Sequence, residues 1–187
     1  LSFDLVAALR RIKAQRSSCA VSRRADDDLP FVPEQIEAGP ELMLDTCVYI
    51  DVIQGKVPRS VDDLLGARIS NHSSICLAEL THLFGRLDPQ HPETPNTLKE
   101  LRGVIKDDIP AHRLTAPSTR VLGEAGMLAG LTTRLTGRSK EQALLNDAIL
   151  YLHALERSCV VLTRNLADFD VFHQLVPTGS VLFYRQA

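Results

Sequence analysis

Two short apolar runs constrain this chain more than any other feature. Leu42-Met43-Leu44 and Cys159-Val160-Val161-Leu162 are apolar at successive positions and too short to be helices. A strand buried on both faces reads this way, because neither side of it meets water. Such strands need helices above and below them. The chain supplies these, with helical spacing predicted over residues 47–54, 60–67, 77–87, 96–106, 117–136, 140–156 and 168–175. Further strands are expected over 69–75 and 181–184. Pro117 suits the start of its helix and Gly137 the stop. Strands alternating with helices predict an α/β fold around a central parallel sheet.

The length of 187 residues suits a single domain. A composition 44% hydrophobic and 24% charged excludes a wholly disordered chain. Aromatics make up 5% and Trp is absent, so an aliphatic core is expected. Residues 1–15 show an amphipathic helical pattern, with Leu1, Leu5, Ala8, Leu9 and Ile12 on one side. Residues 16–40 hold Asp26 to Asp28, Pro30, Pro33 and Pro40 and read as irregular. We therefore expect an N-terminal basic helix and arm over 1–40 and one α/β domain over 41–187.

Charge divides along the same line. Arg10, Arg11, Lys13, Arg16, Arg23 and Arg24 face only Asp4 within residues 1–24, whereas the rest of the chain is net acidic. The arm can grip a nucleic-acid backbone by charge. Equally, its apolar face can cover a patch on the body or on a partner. No apolar run approaches the ~18 residues that would cross a membrane, so no membrane partner is expected. No secretory signal is visible. Cys19, Cys47, Cys76 and Cys159 form no C-x-x-C pair, and the last three sit among apolar residues as buried thiols would. These features lead us to expect a cytoplasmic protein.

Acids and amides interrupt the apolar pattern in four places. Asp45 ends the first apolar run, at the carboxyl end of a parallel strand, where open α/β sheets hold their ligands. It could instead cap the following helix. Asn165 and Asp168 follow the second run, where turn chemistry would also account for them. Asp147 lies in Leu144-Leu145-Asn146-Asp147-Ala148-Ile149-Leu150, within a helix apolar nearly all round. A carboxylate buried there is costly unless a cation or donors satisfy it, or unless the helix begins at Asn146 or Asp147. Glu79 lies in Leu77-Ala78-Glu79-Leu80, where an exposed helix face is the plain alternative. Taken together, carboxylates converging on one sheet edge repel one another, and a divalent ion removes that repulsion. Oxygen ligands select Mg²⁺ or Mn²⁺, which activate water and clamp a phosphoryl oxygen.

These segments resemble the PIN-domain nucleases, and within them the VapC-type toxins of bacterial toxin–antitoxin pairs. The resemblance rests on Leu44-Asp45-Thr46 with Tyr49-Ile50, on Glu79 in its segment, on Asn146-Asp147-Ala148-Ile149, and on Thr163-Arg164-Asn165 through Asp168-Phe169. It covers about residues 42 to 184. It implies a three-layer α/β/α fold and a Mg²⁺- or Mn²⁺-dependent endoribonuclease acting on structured RNA such as tRNA or rRNA. Asp45, Glu79, Asp147 and Asp168 would hold the metal, with Asn165 at a position where many members carry Asp. Thr46 would support the first Asp, and Thr163 has a similar supporting role. A homodimer and a small cognate antitoxin are implied as partners. The arm over 1–40 departs from the family pattern.

Other chemistries find little support. The six histidines are scattered without an H-x-x-x-H pair, and no glycine-rich phosphate loop or nucleophile elbow is present. Arg138, Lys140 and Arg164 stand nearest the acidic segments in sequence and are expected to hold RNA phosphates, whereas Arg134 reads as surface. The rival to a nuclease is a PIN-like module that binds RNA or protein without cutting, for which Asn165 is the best support. A DNA-directed 5′-nuclease ranks below both.

Overall fold

The computed structural model describes residues 3–137 and 141–187. Its strands are β1 (Leu42–Leu44), β2 (Ser70–Ser73), β3 (Leu114–Thr115), β4 (Val160–Thr163) and β5 (Ser180–Phe183). They form one sheet in the order β3-β2-β1-β4-β5, with every pairing parallel. The two apolar runs are its centre: Leu42 pairs with Val160 and Leu44 with Leu162. All strands point the same way, so Asp45, Ser74 and Arg164 leave the sheet at one edge.

Helices α1 (Leu5–Ile12), α2 (Thr46–Ile53), α3 (Arg59–Ala67), α4 (Ser74–Arg86), α5 (Thr94–Gly103), α6 (Thr119–Thr136), α7 (Glu141–Glu156) and α8 (Leu166–Leu175) flank the sheet, giving the expected three-layer α/β/α fold. α5 runs on into a π-helical turn over Val104–Asp108. Helix ends follow local chemistry. Ser118 caps α6 by accepting from the Val121 N–H, and Gly137 ends it in the left-handed conformation at φ 70°.

Several elements differ from the sequence reading; α6 starts at Thr119 behind its Ser118 cap, which leaves Pro117 outside the helix. The strand expected over 69–75 spans only Ser70–Ser73, and α4 starts at once at Ser74. Ser73 caps it, accepting from the Ile75 N–H at 3.3 Å, so Ile75 belongs to the helix. β2 is polar yet mostly buried because its neighbours satisfy it. Asn71 donates to Glu41 at 2.8 Å, His72 meets the Tyr49 hydroxyl at 2.6 Å, and Ser73 meets His153 at 3.0 Å. β3, only two residues long, left no trace in the periodicity. α8 begins at Leu166 rather than Asp168, because Asn165 caps it.

The core is aliphatic around β1 and β4 but aromatic between α7 and α8. Tyr151, Phe169 and Phe172 are buried with ring centroids 5.7 to 6.4 Å apart. Three of the nine aromatic residues thus pack together here. The Tyr151 hydroxyl donates to the Val176 carbonyl at 2.7 Å. A methyl group at Gly179 would stand 2.4 Å from that hydroxyl oxygen. Gly179→Ala should therefore destabilise by about 1–3 kcal/mol through overpacking. Gly126→Ala, on open helix surface, should gain about 0.5–1 kcal/mol. Paired denaturant titrations check both signs.

The N-terminal segment is seated on the body. Ala8 and Ile12 of α1 are buried, and α1 packs against α6. Arg134 of α6 donates to the Ala14 carbonyl at 2.6 Å, so this base holds the arm. Further along, Phe31 bridges to Phe183 of β5, and the Val32 N–H donates to the Phe183 carbonyl at 2.8 Å. No described helix is long and apolar enough to cross a membrane.

Candidate functional site

Asp45 is the first residue past β1 and stands at the N-cap position of α2, yet its side chain makes no capping bond. Its carboxylate, 6% exposed, turns to the neighbouring strand instead. There Oδ2 accepts from the Thr163 hydroxyl at 2.6 Å and from the Cys47 thiol at 3.0 Å. The backbone ties the same two strands, as the Asp45 N–H donates to the Leu162 carbonyl at 3.1 Å. Thr163 thus supports the first Asp. Thr46, to which the resemblance assigns that role, instead donates to Glu79 Oε2, because α2 turns its hydroxyl toward α4.

Asp147 and Asn146 lie well inside α7, which begins at Glu141, so neither is a cap. Asn146 donates to Glu79 Oε1 at 2.7 Å, which joins α7 to α4. Glu79 is half-buried and accepts from both Thr46 and Asn146, unlike a residue on a free helix face. Asn165 has two jobs. Its carbonyl oxygen accepts from the Asp168 N–H at 3.3 Å as the cap of α8. Its amide nitrogen donates to Asp147 Oδ2 at 2.9 Å and to Asp168 Oδ2 at 3.0 Å. The turn chemistry expected of this residue is present, and its amide also stands between the two carboxylates.

All five residues expected at the site stand near the carboxyl edge of the sheet: Asp45, Asp147, Asn165 and Asp168 share one set of hydrogen bonds with Thr163, and Glu79, held separately by Thr46 and Asn146, acts on Asp45 and Asp147 through its charge. Arg164 opens onto the same cleft; Arg138 and Lys140 lie outside the described residues. The cleft has a volume of about 630 Å³ and is lined by Arg23, Asp45, Cys47, Asp147, Arg164 and Arg185 among others. Cys47, expected to be a buried thiol, is only partly buried and faces this space. Burial and the Asp45 charge push its pKa up, so it stays a neutral donor. The sequence reading missed Arg23 and Arg185, which reach the cleft by tertiary contact alone.

The carboxylates work against one another. Burial, then the charges of Asp45, Asp168 and Glu79, push the pKa of Asp147 up to about 9. Burial likewise raises Asp45, which the Thr163 and Cys47 donors oppose and the Glu79 charge reinforces. Among the described residues no group of three or more His, Cys, Asp or Glu side chains is placed to hold a metal ion. The donor set still suits a hydrated hard cation, which needs only one or two carboxylates and keeps its waters.

The raised pKa has a stability consequence. Unfolded, Asp147 ionises near its ordinary value of 3.8, whereas in the fold it holds its proton to about pH 9. It therefore costs stability increasingly as pH rises between those values. Without divalent metal, Asp147→Asn should raise Tm, and by more at pH 8 than at pH 5.5. Each kcal/mol relieved is worth roughly 2–4 °C for a chain of this size. Differential scanning fluorimetry in EDTA at both pH values checks this, and an equal or negative shift at pH 8 contradicts it.

No family model matches the chain, and no curated protein matches it. Solved structures do. VapBC2 from Rickettsia felis, bound to a DNA fragment from its promoter, matches at 17% identity and TM-score 0.55, covering 77% of this chain and 98% of that one. FitAcB from Neisseria gonorrhoeae matches at 18% identity and TM-score 0.53, covering 76% and 96%. DNA-bound VapBC from Salmonella typhimurium matches at 23% identity and TM-score 0.52, covering 76% and 97%. At these identities the likeness is one of fold, and that fold is the PIN-like α/β/α architecture described above.

Proposed function

We propose that the chain is a metal-dependent endoribonuclease of the VapC toxin type, which hydrolyses phosphodiester bonds in RNA. The observation that carries this reading is the carboxylate set Asp45, Glu79, Asp147 and Asp168, brought to one sheet edge from four different elements. In this reading Asp45, Glu79, Asp147 and Asp168 would hold Mg²⁺ or Mn²⁺, directly or through water. Such an ion would supply Lewis-acid polarisation and a water of lowered pKa. Thr163 and Cys47 orient Asp45, Asn146 and Thr46 orient Glu79, and Asn165 spaces Asp147 from Asp168. In the reaction a water oxygen bonds to phosphorus in line and the P–O3′ bond breaks. The proton released ends on the 3′ oxygen, leaving a 5′-phosphate and a 3′-hydroxyl.

The fold likeness to the VapBC and FitAcB structures supports a cognate antitoxin as partner; pairing with a second copy of the chain is a further part of the proposal. Asn165 supports a second reading, a PIN-like module that binds RNA without cutting, because an amide there lowers the negative charge available to a metal.

Purified protein freed of any bound partner should cut total tRNA or rRNA into discrete fragments with Mg²⁺ or Mn²⁺ and not with EDTA. Asp45→Asn and Asp147→Asn should each lower the rate by at least about a hundredfold while the protein stays folded by circular dichroism. Activity retained in both variants sinks the site assignment. Absence of fragments from folded, metal-loaded protein favours the binding module.

A further inference from the structure

Three arginines stand on the cleft, each from a different part of the chain. Arg23 comes from the N-terminal arm, Arg164 from the loop after β4 and Arg185 from the segment after β5, and all three line the space that Asp45 and Asp147 also line. We propose that they form a rim that holds the phosphodiester backbone of single-stranded RNA, and that residues 22–31 of the arm are built into the site for this purpose. The identity of the ligand rests on the ribonuclease reading; the rim itself rests on the following bonds.

Each guanidinium is pinned but not saturated. Arg164 Nε bonds Asp51 Oδ2 at 2.8 Å. Asp51 is fully buried and is also held by the Tyr184 hydroxyl at 2.8 Å and by Gln186 at 2.7 Å. Arg23 Nη1 bonds one oxygen of Asp26 at 2.5 Å, and Arg185 Nη2 bonds the other. The Arg185 guanidinium also lies over the Phe31 ring, 5.6 Å from its centroid. Among the described residues these bonds engage one nitrogen of each fork, and a guanidinium carries five N–H donors in a geometry that matches phosphate oxygens. A fixed cation with donors to spare gives up little freedom when a phosphate arrives.

The arm is held where Arg23 can serve. Asp170 of α8 is fully buried and would be costly without partners. Arg24 supplies them: its backbone N–H and its Nε each donate to Asp170 at 2.8 Å, and its Nη2 stands 2.7 Å away. Gln174 donates to the Ser22 carbonyl and to Asp170, both at 2.9 Å. Arg24 is thus turned into the protein while its neighbour Arg23 meets the cleft. Asp26 and Phe31, from the same stretch, set the position of Arg185. The stretch therefore supplies one arginine and orients a second.

The test is binding of a fluorescein-labelled 20-nucleotide single-stranded RNA to the full chain in EDTA, followed from 50 to 200 mM salt. EDTA removes turnover, so the rim is read apart from catalysis. Removing one phosphate-neutralising arginine should lower the slope of log K against log salt by about 0.7, and removing two by about 1.4. Arg23→Gln and Arg185→Gln should each show the single decrease, and Arg23→Gln with Arg185→Gln the double one. Arg59→Gln, on the exposed face of α3, should leave the slope unchanged. Thermal melts confirm folding, and Arg185→Gln stands alone as the probe if Arg23→Gln does not fold. Unchanged slopes in the cleft variants, or no wild-type binding at 50 mM salt, overturn the rim. Reduced slopes in a protein that cuts no RNA keep the rim and remove the nuclease; unchanged slopes in an active enzyme do the reverse.

Discussion

Parallel pairing of β1 with β4 sets the position of the polar groups around Asp45. Register places Leu44 beside Leu162, so the residues that follow, Asp45 and Thr163, emerge side by side at one sheet edge. The hydroxyl of one then reaches the carboxylate of the other at 2.6 Å. Asp45 can remain a nearly buried acid because the adjacent strand carries its donor. From there the network spreads outward: the Asn165 N–H donates to the Thr163 hydroxyl oxygen at 2.9 Å, and Asn165 in turn reaches Asp147 and Asp168. A one-residue slip of the register would turn these side chains to the other face and dissolve the set.

The sheet and most helices were legible because their signals are local. A run such as Cys159 to Leu162 announces burial by itself, and Gly137 stops α6 by its own conformation. The carboxylates were legible for the opposite reason: each violates the apolar pattern around it, and such violations collect where ligands bind. What the chain hid is tertiary. The partners Arg24 and Asp170 lie 146 residues apart in sequence. Thr46 and Thr163 look alike in sequence, and only the turn of α2 decides which of them serves Asp45. β2 hid its nature because Ser-Asn-His-Ser is polar, and its burial depends on Glu41, Tyr49 and His153.

The N-terminal segment joins these two kinds of information. Its amphipathic pattern foretold a helix with an apolar face, and that face rests on the body at Ala8 and Ile12. Its charge suggested nucleic acid, and the structure divides the charge by task. Arg24 is turned inward to satisfy α8, Arg11 pairs with Glu124 of α6 at 3.5 Å, and Arg23 alone of these three lines the cleft. Counting bases could not have made that division.

The pairing of Arg24 with Asp170 also separates how the frame and the cleft respond to the surrounding medium. Asp170 is sealed from solvent, and ions in solution screen such a pair far less than they screen exposed charges. Arg185, by contrast, is 61% exposed at its side chain. As the ionic background changes, the exposed rim weakens or strengthens while the segment that carries it stays seated. Under the proposed rim, the hold on a polyanion would vary with ionic strength while the arm that carries Arg23 stays seated.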